Sequence, residues 1–158
     1  MPFSDTELDA ILNDGSKRIE GDVATGLGEL FRYSPHGEYE RVRTPFLYPD
    51  GDNIDLFCKR SPEALTISDL GETTRWLRMQ TVSPRRSPKQ RALIEDTCLT
   101  HGVELYRGML LARVRPGEAV APVITRVGQA ALRVSDLWFT YSRRQPARAN
   151  PPVPRNRG

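Results

Sequence analysis

Four aspartates, Asp50, Asp52, Asp55 and Asp69, gather around two turns in the first half of the chain. Carboxylates at that density suggest a divalent cation such as Mg²⁺, which takes carboxylate oxygens and water and can activate water for hydrolysis of a phosphodiester. The spacing argues against it. Restriction-type nucleases place an acid and a lysine two residues apart on one strand, so that both reach one metal and one water. The nearest match here is Asp55 with Lys59; they share a strand face, but at ~3.3 Å per residue they stand roughly 13 Å apart. A calcium loop beginning at Asp50 would place Ile54 where an oxygen ligand is required and Asp55 where glycine is required. The aspartates therefore read as structural: Asp50 and Asp52 shape a turn and Asp69 caps a helix. No metal and no cofactor is expected, and a divalent-metal nuclease ranks third among the functional readings.

The second group is basic. Arg75, Arg78, Arg85, Arg86, Lys89 and Arg91 follow one another with no acid between them. They span the end of one expected helix and the start of the next, around Ser83-Pro84. Phosphate contacts use such cations together with main-chain donors at helix starts, so this segment is the candidate surface for a partner or a nucleic acid. A solvated basic face is the competing reading.

Other chemistries find little support. His36 lies in a Pro-Gly turn and His101 at a helix end, and neither has a partner at zinc-ligand spacing. Cys58 and Cys98 are far apart and read as small buried apolar residues. No nucleophile elbow, phosphate loop or dinucleotide fingerprint occurs.

The elements that would position these groups are legible in part. Ser4 and Glu7 form a capping-box pattern, with Phe3 and Leu8 as a staple. Leu8, Ile11 and Leu12 form the apolar stripe of that helix, and Gly15 ends it. Strand pieces Leu30–Tyr33 and Tyr39–Val42 flank a turn at Ser34-Pro35-His36-Gly37. In Ile54–Lys59, Ile54, Leu56 and Cys58 share one face, and Asp55, Phe57 and Lys59 the other. Ala64–Leu70 alternates again. Asp69 with Glu72 then reads as a helix cap with its reciprocal acid, and Trp76 lies beside the face of Leu70, Thr73, Thr74 and Leu77. Ser87-Pro88-x-Gln90 opens the next helix, which Gly102 stops. Arg107-Gly108 joins a hairpin. Val120, Ile124, Val127, Ala131, Val134, Trp138 and Tyr141 recur at helical spacing, with Pro122 in the first turn. Trp76 and Trp138 are expected in the core.

A chain of 158 residues with 38% apolar and 27% charged side chains suits one domain over residues 1–142. The stretch from Arg143 to Gly158 carries four prolines, five arginines and one large aliphatic; it reads as a disordered tail. Apolar runs are too short to cross a membrane, and the acidic N-terminus lacks the pattern of an export leader, which predicts a cytoplasmic protein. A net charge of +3 argues against mimicry of DNA.

Thr44-Pro45-Phe46, Asp50-Gly-Asp-x-Ile54, the turn Asp69-Leu-Gly71-Glu-Thr73 and Trp76-Leu77 together resemble the bacterial and phage family known as domain of unknown function 1828. Leu70 stands where that family often has a second acid. The resemblance covers roughly residues 20–140, the size of one domain. It implies a phage or mobile-element setting and no known activity.

The order of elements predicts an α+β fold: a small antiparallel sheet with helices packed on one face and a long C-terminal helix. The functional expectation is a non-catalytic interaction module that docks on a larger protein or nucleoprotein through the basic segment 75–91 and the acidic turn 50–55, in a mobile-element setting an inhibitor or modulator of a host defence complex. Direct binding of nucleic acid is the alternative.

Overall fold

The computed structural model describes residues 2–13, 23, 26–80 and 87–142. Arg85, Arg86, Gly15 and the Pro/Arg-rich tail 143–158 therefore lie outside the described residues. Helix α1 (Asp5–Asn13) precedes strands β1 (Arg32–His36), β2 (Tyr39–Leu47), β3 (Asn53–Arg60) and β4 (Leu65–Ser68). Helices α2 (Glu72–Gln80) and α3 (Pro88–Thr100) follow, then the hairpin β5 (Glu104–Tyr106) and β6 (Met109–Val114), and finally α4 (Val120–Ser142). All strand pairs are antiparallel, in the order β1-β2-β3-β4-β6-β5. The α+β layout with a long C-terminal helix is as the pattern predicts. Among the described residues no helix is long and apolar enough to cross a membrane.

Side-chain alternation explains the layers. Ile54, Leu56 and Cys58 of β3, Leu65 and Ile67 of β4, and Leu110, Ala112 and Val114 of β6 are all buried on one face. Helix α4 lies across that face against β2, β3, β4 and β6, presenting Val123, Val127, Ala130, Ala131 and Val134. Helix α2 packs on α4 and β6, and α3 on α4 and β5. Cys98 of α3 joins the same core as Cys58, and burial pushes both thiols up to about 11. Among the described residues, no helix layer packs on the opposite face.

Local signals hold where their partners are near in sequence. Ser4 Oγ accepts from Glu7 N at 3.3 Å while Ser4 N donates to Glu7 Oε2 at 2.8 Å. Ser87 and Gln90 make the same reciprocal pair at the start of α3. Two details differ from expectation. The stripe of α1 is not covered: Leu8, Ile11 and Leu12 are exposed, Leu12 at 81%. And β1 runs extended through His36, so the hairpin turns at Gly37-Glu38, where Gly37 takes a left-handed φ of 62°. Pairing with β2 puts Pro35 opposite Glu40 and overrides the local turn preference of Ser34-Pro35.

One close approach fixes α4 on the sheet. A Cβ added at Gly128 would lie 2.8 Å from the ring of Phe46 on β2, and that ring meets Phe31 edge-on at 6.2 Å. Leucine at 128 should destabilise the protein by about 2 kcal/mol through overpacking. Alanine should cost less, since its helix propensity exceeds that of glycine by about 1 kcal/mol. Urea unfolding of the two variants measures both.

Candidate functional site

Asp69 is the most constrained of the predicted residues. It is fully buried at the end of β4. Its Oδ1 accepts from Gly71 N and Leu110 N, each at 2.9 Å, and its Oδ2 accepts from Thr73 N at 3.0 Å. The Thr73 hydroxyl also bonds to it and lies 3.0 Å from the Tyr48 hydroxyl. Burial pushes the Asp69 carboxyl above the ordinary aspartate range, against the opposing pull of these donors. Asp69 thus caps α2 as its sequence suggests, but the reciprocal half of the box is missing. Glu72 pairs instead with Arg75 at 2.6 Å.

The other aspartates do not join it. Asp50 Oδ1 accepts from Asp52 N at 3.1 Å, closing the turn. Its Oδ2 accepts from Trp76 Nε1 at 2.8 Å. Those two bonds, the indole first, hold the Asp50 carboxyl below the ordinary range. Asp55 is held by Arg43 at 2.9 Å and faces Arg41 at 3.9 Å. Lys59, its would-be catalytic partner, pairs with Glu38 at 2.9 Å. Among the described residues, no three His, Cys, Asp or Glu side chains stand together to hold a metal ion.

Trp76 and Trp138 are both half-buried at the margin of the core rather than within it. Trp76 stacks on Tyr48, with ring centres 5.6 Å apart and planes 9° from parallel. The two rings line a cleft of about 560 Å³ with Asp50, Asp52, Asp55, Glu72, Arg43 and Arg75.

A second cleft, of about 630 Å³, opens on the other side of α2's first turn. Among the described residues its charged lining is Arg75, Arg78, Arg91 and Arg107 against one acid, Glu72. The fold brings three of the predicted cations together and adds Arg107, which the hairpin turn supplies. Lys89 is exposed in the first turn of α3 and lines neither cleft. The chain approaches itself closely beneath this cleft. Thr74 Oγ1 donates to Gly108 O at 2.7 Å, and a Cβ on Gly108 would sit 3.2 Å from that hydroxyl. Arg107 itself is left-handed, at φ 49°, with its guanidinium 5.2 Å from the Tyr106 ring. No local signal marks Arg107 as a site residue; only the pairing of β6 with β4 brings its turn to α2. Guanidinium groups grouped this way can grip phosphate or carboxylate oxygens bidentately.

The fold and these paired clefts define a small α+β domain with a concave arginine surface. The family model described as Domain of unknown function DUF1828 matches residues 44–134, more than half of the chain, and the chain belongs to that family. Comparison with curated proteins and with solved structures returns no match.

Two measurements check this geometry. Asp69→Ala should cost roughly 3 kcal/mol in urea unfolding, because the buried N–H groups of Thr73 and Leu110 and the half-buried one of Gly71 lose their acceptor; Asp69→Asn, which keeps one oxygen, should cost less. In a Trp138→Phe background, Trp76 emission should report the Asp50 carboxyl. A lowered pKa keeps the indole tie intact above the ordinary aspartate range and releases it only as pH falls through the lowered value. That transition should be absent in Asp50→Asn.

Proposed function

We propose that this protein is a non-catalytic interaction module that docks on a nucleoprotein and grips nucleic-acid phosphates with Arg75, Arg78, Arg91 and Arg107. The supporting observation is the convergence of four arginines from two helices and a turn on one cleft that has a single acid among the described residues. Phosphate oxygens suit guanidinium forks, and the cost of bringing like charges together is offset when an anion binds between them. The non-catalytic reading is supported by the engagement of Asp50, Asp55 and Asp69 in the turn, an ion pair and the helix cap. The acidic cleft beside Trp76 offers an oppositely charged surface to the protein part of such a partner. In the mobile-element setting that the resemblance implies, a host defence complex is the first partner to test.

The test is the salt dependence of binding to a labelled duplex. Each phosphate contact contributes a slope of about −0.9 in log K against log salt. An Arg75→Ala/Arg107→Ala double variant should weaken binding across sequences and flatten the slope by about 1 to 2. An unchanged slope in that variant would remove the cleft from the interface.

A further inference from the structure

The sheet face opposite the helices combines aromatic rings with cations. Strand register puts three rows of residues on it. His36 and Tyr39 lie in a row with Lys59, Thr66 and Arg113; Arg41, Phe57, Ser68 and Leu111 form the next; Arg32, Arg43 and Asp55 the third. Phe57 lies 5.3 Å from the His36 ring and 6.4 Å from that of Tyr39. Lys59 Nζ sits 5.3 Å from the centre of the Tyr39 ring. A depression of about 250 Å³ opens among Tyr39, Phe57, Lys59, Leu70, Met109 and Leu111. Leu70 and Met109 also line the arginine cleft, so the two hollows adjoin across these side chains.

We infer that this face takes a single-stranded nucleic acid, its bases stacked on Phe57, Tyr39 and His36 and its backbone led over Leu70 and Met109 into the arginine cleft. The inference rests on the phosphate-binding reading of that cleft. Charge favours this occupant: Arg32, Arg41, Arg43, Lys59 and Arg113 on the open side stand against Asp55, Glu104 and Glu38, the last at the turn beside Lys59. Arg43 holds the half-buried Asp55 with two bonds, whereas the pairs of Lys59 with Glu38 and of Arg113 with Glu104 are solvent-exposed. Such pairs hold their members weakly, so phosphates can displace the carboxylates. The rings distinguish single strands from duplexes. A duplex buries the faces of its bases, whereas a single strand can lay them on aromatic side chains, and such platforms pair ring stacking with a basic groove.

The full chain should be titrated by fluorescence anisotropy with a labelled oligo-dT of about 12 nucleotides, within the ~4–16 nucleotides that one sheet platform covers, and with the corresponding dT·dA duplex. The single strand should bind at least about tenfold more tightly. Phe57→Leu, which keeps apolar bulk and removes the ring, should weaken single-strand binding about tenfold and leave duplex binding unchanged. Phe57→Trp should retain binding and show emission quenched by the strand, which also establishes that the variant is folded. Duplex binding equal to or tighter than single-strand binding, or indifference to Phe57→Leu, overturns the inference. If the Arg75→Ala/Arg107→Ala variant still loses affinity in that case, the arginine-cleft reading survives alone. Absence of binding to both probes overturns the two together.

Discussion

The geometry of the arginine cleft depends on one buried carboxyl group. Asp69 ends β4, caps the first turn of α2 and accepts from the main chain of β6, so three elements meet on its two oxygens. Thr74 adds a second tie from α2 to the turn at Gly108. These bonds set the distance between Arg75 and Arg78 on α2 and Arg107 on the hairpin. An aspartate with no partners would be costly at such a depth; here the cost is offset by donors that would themselves be orphaned without it. The residue is a structural part of the surface rather than a participant in its chemistry.

The Glu72–Arg75 pair is the ridge between two clefts of opposite character. On one side stand the acidic turn and the Tyr48–Trp76 stack; on the other, the arginines. Charges separated this way give a small protein a directional field despite a net charge of only +3. A partner with both signs of charge would be oriented before contact.

The sequence carries the elements whose decisive contacts are short-range. The caps at Ser4 and Ser87, the alternation through Ile54–Lys59 and the hairpin at Arg107-Gly108 depend on residues within a few positions of one another. What escapes it depends on distant partners. The Asp69 carboxyl reaches Leu110, so the nearby Glu72 is not needed as its mate and turns to Arg75. The β1 turn moves because pairing with β2 outweighs the preference of Ser34-Pro35. Arg75, Arg78 and Arg91 are visible as a basic run, while Arg107 joins them only through the register of β4 on β6. Trp76 has the spacing of a core residue, yet its indole N–H needs a polar mate and finds Asp50 at the rim.

The two cysteines carry a practical consequence. Both sit inside the protein with thiols pushed up to about 11, so at neutral pH neither offers the thiolate that reacts with alkylating reagents. The native fold is thus chemically silent toward maleimides. A single cysteine introduced on the surface would take a dye or spin label at that one position, without prior removal of Cys58 or Cys98.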